Sequence, residues 1–266
     1  MGKFIEIYEQ NLIDAKKQYI ESSNFSSKPI MTTGVISPES TICIQPIFGI
    51  EFGLDKAGTN TILEMLENKW DAKTENERKN LLGILTDIYT ITEEYLGGHG
   101  IPSVRQNAYL KADNNRLTLS EIQEKNIGLC AERAAIGHQM FSIIEKAGLT
   151  NFTSFLTISH LTVDTREPHS FIVLKHNTDS SKQYIFDIEN PVKYMKTSDS
   201  KPMLGVALYP MTQEEFEAFQ EGKSIAPQTI YEQFGMIIAD TKRYYGDEEI
   251  TINKIDKDIT NDVHER

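Results

Sequence analysis

The sequence predicts an α+β fold in which an antiparallel β-sheet packs on one central helix, with a helical part at the N-terminus. Three observations support this prediction. Helical spacing of apolar residues dominates residues 1–119, one helical pattern follows at 130–147, and consecutive strand patterns cover 153–209. Helices and strands that occupy separate parts of a chain are typical of α+β folds.

The first part of the chain, residues 1–119, is predicted to form a helical extension or subdomain. Apolar residues at helical spacing predict a helix over 3–21, whereas β-branched residues with Gly and Pro predict short strands and turns over 31–54. A helix at about 59–69 and a longer one that starts at the N-cap candidate Thr74 complete this part.

The second part of the chain is predicted to begin with two helices. Ser120 and Gln123 have the spacing of a capping box and predict a short helix that stops near Gly128. A second helix begins at or beside Cys130 and is ended by Gly148.

A strand meander and closing helices are predicted to follow. The strand patterns cover about 153–163, 169–175, 183–188 and 203–209. One closing helix is capped by Thr212, and a last helix follows Pro227 and ends near Tyr245.

The charge balance argues against nucleic-acid and membrane binding. Of 266 residues, 27 are Lys or Arg and 39 are Asp or Glu, so the net charge of −12 repels phosphate backbones and anionic membranes. No apolar stretch approaches the roughly 18 residues that span a bilayer, and the first residues lack a signal-peptide core. We therefore expect a protein or peptide substrate, with a basic one suited to the acidic charge, and a protein that is cytoplasmic or exported without a cleavable signal peptide.

The two cysteines have different settings. Cys43 lies in an apolar strand pattern and is expected to be a small buried residue. Cys130 starts a helix, where unpaired N–H groups and the helix dipole favour a thiolate and can bind an oxyanion. Two cysteines exclude a four-thiolate zinc site, and thiol chemistry requires neither a metal nor an organic cofactor.

A thiol nucleophile needs a base, and His169 is the best-placed histidine because it opens a strand at an edge of the sheet. His138 lies eight residues along the helix of Cys130, about 12 Å away, and His264 lies near the C-terminus. His176 is at the opposite end of its strand. His160, in the middle of the preceding strand, remains a rival base.

Asp187 is the candidate that would orient this base. It follows His169 by 18 positions, so a turn of three or five residues would place both side chains on one face of a hairpin. An aspartate among apolar residues also needs a partner. Glu189 and Asn190 are alternatives for the same role.

An oxyanion hole would need one donor besides the Cys130 N–H. Gln123 and Asn126, just upstream, are the candidates. Glu132 is expected to complement the helix dipole, with Arg133 as its neighbour on the surface.

These motifs resemble the transglutaminase-like cysteine superfamily. The segments that carry the resemblance are Gly128-Leu-Cys130, Glu167-Pro-His-Ser-Phe-Ile-Val-Leu174 and Tyr184-Ile-Phe-Asp187, within residues 126–191. The resemblance implies a Cys130–His169–Asp187 triad in a catalytic core at 120–245 that includes the closing helices. Residues 246–266 are then an acidic flexible tail.

The expected function is therefore thiol-dependent acyl transfer on amide bonds of protein substrates, as in a cysteine protease, a glutamine deamidase or a transglutaminase. Two alternatives remain. One is a non-catalytic protein-binding module that keeps the fold. The other is an acyltransferase similar to arylamine N-acetyltransferases, whose short motif spacing is shared, although their Arg-Gly-Gly before the cysteine is Asn126-Ile127-Gly128 here.

Overall fold

The structure is a computed structural model that describes residues 2–13, 15, 17–21, 30–98, 100–160, 168–195 and 202–223. Within these ranges it contains eight α-helices and nine β-strands, so the predicted α+β class is confirmed. The described residues include no helix that is both long enough and apolar enough to cross a membrane.

The helices and strands alternate irregularly in the first part of the chain and segregate in the second. The helices are α1 (Lys3–Leu12), α2 (Lys56–Asp71), α3 (Glu75–Lys79), α4 (Leu81–Leu96), α5 (Pro102–Lys111), α6 (Leu119–Lys125), α7 (Cys130–Lys146) and α8 (Gln213–Gln220). The strands are β1 (Tyr19–Glu21), β2 (Ile30–Thr33), β3 (Thr41–Gln45), β4 (Ile50–Gly53), β5 (Arg116–Thr118), β6 (Phe152–His160), β7 (Pro168–His176), β8 (Gln183–Met195) and β9 (Pro202–Pro210).

The larger sheet has the order β2-β6-β7-β8-β9, and all its neighbouring strands are antiparallel. The sequence predicts its last four strands, and β2 extends it by pairing with β6. A second sheet, β1-β3-β4-β5, contains the parallel pairs β1–β3 and β4–β5. This second sheet is not predicted by the sequence as a unit.

Helix α7 is the centre of the molecule, because every residue from 131 to 144 is buried. Its close approach to the larger sheet depends on Gly137. A Cβ atom at this position would lie 2.8 Å from Ile188 and 2.9 Å from Ile172, so only glycine fits without displacing the sheet residues. Helices α1, α2 and α4 cover the other sides of α7.

Two polar side chains of α7 hold the segment between β2 and β3. The Gln139 amide accepts a hydrogen bond from Ile36 N (2.9 Å) and donates one to Ile36 O (3.1 Å). His138 is fully buried, with Nε2 3.0 Å from Gly34 O and Nδ1 3.0 Å from Ser154 Oγ. Burial lowers the pKa of His138 to about 4, although the hydrogen bond to Gly34 opposes this shift.

This buried imidazole makes the stability of the protein sensitive to acid. Between pH 6.5 and 4 the unfolded chain gains a proton at His138 that the folded protein does not, so the free energy of unfolding falls as the pH is lowered. We expect this site to remove about 3 kcal/mol between pH 7 and pH 4. Urea unfolding at both pH values should give a smaller pH effect in His138→Gln, whereas His176→Gln, in the β7–β8 turn, should behave as wild type. Equal pH effects in wild type and His138→Gln would contradict this expectation.

Helix α8 covers the opposite face of the larger sheet. Phe216 and Phe219 pack there on Phe171, and the ring of Phe171 stacks on that of Phe219 with centroids 6.0 Å apart. The capping box that starts α8 uses Thr212, as predicted. The sheet is thus buried on both faces.

Several predicted boundaries are corrected by the structure. The predicted helix over 3–21 ends at Leu12, and Tyr19–Glu21 pairs with β3 as strand β1. Thr74 does cap a helix, but the chain leaves helical geometry at Asn80 (ψ 115°), which caps the next helix through Gly83 N. The expected single helix is therefore two helices.

The start of α6 is also corrected. Its capping box is formed by Thr118 and Glu121, whereas the Ser120 hydroxyl donates to Asp55 (2.7 Å). The sequence analysis did not predict α5. The predicted helix after Pro227 and the predicted tail at 246–266 lie outside the described residues.

Candidate active site

Cys130 is the first residue of α7, and it is half-buried, whereas Cys43 is buried in β3. The chain reverses just before it, because Asn126 ends α6 in the left-handed conformation (φ 50°). Gly128 then passes so close to Leu96 that a Cβ atom would lie 2.5 Å from its Cδ1. This tight connection places the thiol at the free N–H groups of a long buried helix.

His169 and Asp187 come from adjacent strands and form a hydrogen bond. Nε2 of His169 lies 2.8 Å from Oδ2 of Asp187, and both side chains are buried. Val173 pairs with Ile185, and residues 177–181 form a five-residue turn, so odd-numbered residues of both strands share one face. His169 and Asp187 are therefore diagonal neighbours on that face.

The Asp187 carboxylate accepts three more hydrogen bonds. Glu189 N (3.1 Å) and Asn190 N (3.3 Å) donate to Oδ1, and Asn190 Nδ2 (3.0 Å) donates to Oδ2. Burial alone would raise the pKa of Asp187, but His169 and these donors lower it below its ordinary value. Glu189 and Asn190, the sequence alternatives for the acid, thus support Asp187 instead.

The second nitrogen of the imidazole faces the thiol. Burial lowers the pKa of His169, but the Asp187 carboxylate and a hydrogen bond with Cys130 raise it well above its ordinary value. Because Nε2 is engaged by Asp187, Nδ1 is the atom available to sulfur. The structure therefore brings Cys130, His169 and Asp187 together in this order.

The imidazole lies on the α8 face of the sheet, not on the α7 face. Its ring is 6.0 Å from that of Phe171, which stacks on Phe219 of α8. His169 is the second residue of β7, and Cys130 is the first residue of α7. The two groups therefore meet at the end of the sheet where β7 and α7 begin.

Glu132 does more than complement the helix dipole. It is fully buried and accepts hydrogen bonds from Leu129 N (3.1 Å), Arg105 Nε (2.7 Å) and Tyr109 OH (2.7 Å). Arg105 and Tyr109 were not among the predicted site residues. Their spacing of four positions, which puts them on one face of α5, is the sequence feature that could have drawn attention to them.

The prediction that Arg133 lies on the surface is wrong. Its side chain is completely buried, contacts Glu93 and the carbonyl of Gly98, and places Nε 2.9 Å from Oε2 of Glu189. Burial raises the pKa of Glu189 to about 8, with Arg133 acting in the opposite direction. Arg133 thus connects the first turn of the cysteine helix to α4 and to the turn after Asp187.

The two predicted oxyanion donors lie at the end of α6, just before the turn to Cys130. Gln123 is exposed on α6, and the Asn126 amide can donate to Leu96 O (3.1 Å) and Gln123 O (3.3 Å), which supports the chain reversal. In the part of the chain that the structure describes, neither side chain has a hydrogen bond to Cys130.

The other histidines have separate positions. His138 is buried under the β2–β3 connection, and His176 accepts hydrogen bonds from Thr178 N and Asp179 N in the β7–β8 turn. The side chain of the rival base His160, and all of His264, lie outside the described residues.

Comparison with known proteins gives no match to a protein-family model, a curated protein or a solved structure. The functional argument therefore depends on the geometry of the site.

Proposed function

We propose that the protein is a thiol-dependent acyl-transfer enzyme that hydrolyses amide bonds of protein substrates, as a cysteine protease or a glutamine deamidase. The observation that carries the proposal is the contact of Cys130 with an imidazole whose far nitrogen is held 2.8 Å from the Asp187 carboxylate. Nucleophile, base and orienting acid are the three components that this chemistry requires.

The proposed reaction has two halves. With His169 protonated, the Cys130 thiolate attacks the amide carbonyl and forms a carbon–sulfur bond, and the oxyanion is stabilised by N–H groups at the start of α7. His169 then gives its proton to the leaving amine as the carbon–nitrogen bond breaks, leaving a thioester. A water molecule, deprotonated by His169, attacks the thioester, and the released thiolate and the protonated imidazole restore the starting state.

The leaving group distinguishes the two hydrolytic activities. A glutamine side chain releases ammonia, whereas a peptide bond releases a new N-terminus. The net charge of −12 favours basic substrates, because long-range attraction raises the rate of association with them.

The first test of the proposal compares the native and the unfolded protein. Iodoacetamide labelling at pH 6 followed by mass spectrometry should give faster modification of Cys130 in the native protein than in urea. Partial burial alone would slow it, so acceleration reports activation of the thiol. Cys43, buried at 1% exposure, is the internal control and should be slower in the native protein.

The second test measures release of ammonia or of peptide amines from a basic protein mixture such as histones. Wild type should release one of these products, and Cys130→Ala should release none. Cys130 labelling that is slower in the native protein than in urea, or amide cleavage that persists in Cys130→Ala, would refute the proposed function.

A further inference from the structure

Arg105 is a buried guanidinium placed against the first turn of the cysteine helix. Its side chain is 8% exposed, and its Nε lies 2.7 Å from Oε1 of Glu132, two residues after Cys130. The same Glu132 accepts from Leu129 N through Oε2, so Arg105 is fixed to the segment that carries the thiol. The guanidinium also lies over the ring of Tyr109, 5.3 Å from its centroid.

The terminal nitrogens of this guanidinium are unused within the described residues. The side chain of Arg105 forms a hydrogen bond there only through Nε. A guanidinium usually binds a carboxylate through two parallel N–H donors, whereas Arg105 binds Glu132 through Nε alone. Two donors therefore remain available for a ligand.

Cys130 interacts electrostatically with the same guanidinium. Burial lowers the pKa of Arg105, but Glu132, Tyr109 and Cys130 together raise it above its ordinary value. The guanidinium is therefore charged at every relevant pH. An anionic atom bound to sulfur or to the carbon that it attacks lies within the field of this charge.

We propose that Nη1 and Nη2 of Arg105 bind a negatively charged oxygen of the substrate beside Cys130. This oxygen is either a carboxylate of the substrate or the oxyanion that forms on the attacked carbonyl. The inference rests on the proposed function, and it supplies a donor for the oxyanion besides the Cys130 N–H.

The first experiment detects a carboxylate. The rates at which iodoacetate and iodoacetamide alkylate Cys130 are measured in full-length wild type and in Arg105→Gln. These reagents differ in one group, a carboxylate against a neutral amide, and neither forms an oxyanion. A substrate carboxylate bound by Arg105 predicts that the ratio of the iodoacetate rate to the iodoacetamide rate falls at least tenfold in Arg105→Gln.

The second experiment detects the oxyanion. The burst of p-nitrophenolate from p-nitrophenyl acetate reports attack of Cys130 on a carbonyl group with no carboxylate nearby. An oxyanion bound by Arg105 predicts a burst rate at least tenfold lower in Arg105→Gln, with an unchanged rate for iodoacetamide.

Two control variants distinguish the loss of the Arg105 guanidinium beside Cys130 from a loss of the fold and from a change in net charge. Arg116→Gln removes the same charge from an exposed arginine and should leave both measurements unchanged. If Arg105→Gln does not fold, Arg105→Lys is measured instead. Lysine keeps the positive charge beside Glu132 but lacks the paired N–H donors of the guanidinium, so the rate that depends on Arg105 should fall at least threefold.

A tenfold fall in the iodoacetate-to-iodoacetamide ratio supports the inference and identifies the oxygen as a substrate carboxylate. A tenfold fall in the burst rate supports it and identifies the oxygen as the oxyanion. Unchanged ratios and bursts in the Arg105 variants overturn it. Failure of the proposed function gives a different result, because Cys130 would then be unreactive in the wild type itself.

Discussion

Replacing His169 by glutamine is expected to slow alkylation of Cys130 by iodoacetamide about 30-fold at pH 7, because an ordinary thiol with a pKa near 8.5 is only about 3% ionised there. Burial lowers the pKa of His169, but Asp187 and Cys130 outweigh it and raise the pKa well above its ordinary value, which favours the protonated imidazole. That positive charge next to sulfur favours the thiolate, which is the reactive form. Glutamine retains hydrogen-bonding groups but has no charge.

Asp187→Asn, which removes the carboxylate beside His169, tests whether the imidazole activates Cys130 through the pH dependence of the alkylation rate. Without the carboxylate, the pKa of His169 loses its largest upward contribution, so the imidazolium should be lost at a lower pH than in the wild type. Alkylation rates measured from pH 5 to 9 should therefore fall towards the profile of an ordinary thiol in Asp187→Asn. A profile identical to that of the wild type, or a full rate in His169→Gln, would show that the imidazole does not activate Cys130.

Replacing Arg133 by methionine is expected to lower the free energy of unfolding by about 3–5 kcal/mol, because it removes a fully buried guanidinium that contacts Glu93, Glu189 and the carbonyl of Gly98. Glu189 lies 2.9 Å from Arg133 Nε with its side chain 14% exposed, and Glu93 contacts the same guanidinium. Urea unfolding followed by circular dichroism measures the loss. Because the pair also joins α7 to the turn after Asp187, the variant should weaken thiol activation as well.

Two comparison variants define this effect. Arg116→Met removes an exposed arginine and should change the free energy of unfolding by no more than about 0.5 kcal/mol. Adding Glu189→Gln to Arg133→Met removes an acidic group that has lost its contact with the guanidinium, and it should recover part of the loss. A loss below about 1 kcal/mol in Arg133→Met would mean that the buried ion pair contributes little to stability.

The sequence predicts an element well when the local pattern of its residues matches the structure that the folded chain gives it. The polar turn at 177–181, between two strands of alternating pattern, set the register that puts His169 next to Asp187. Likewise, Gly128 before Cys130 and Gly148 after the helix marked the limits of α7. These features depend on neighbours in sequence, so the sequence predicted the hairpin and the limits of the helix, while the length of the turn was fixed only by the structure.

Contacts between distant residues explain what the sequence did not predict. Tyr19 and Ile20 continue the helical spacing of α1, but they form a strand because β3 offers a partner 22 positions later. Arg133 looks like a surface residue in a charged pair, but Glu93, Glu189 and the carbonyl of Gly98 make its burial possible. Such pairings have no local pattern.

The five-residue turn between β7 and β8 also limits how this hairpin can change in evolution. Substitutions within the turn leave the pairing of the strands in place, but adding or removing one residue would move every later side chain of β8 to the other face of the sheet. The carboxylate would then point away from its imidazole. Length variants of this turn that keep the paired arrangement should therefore differ by two residues, not by one.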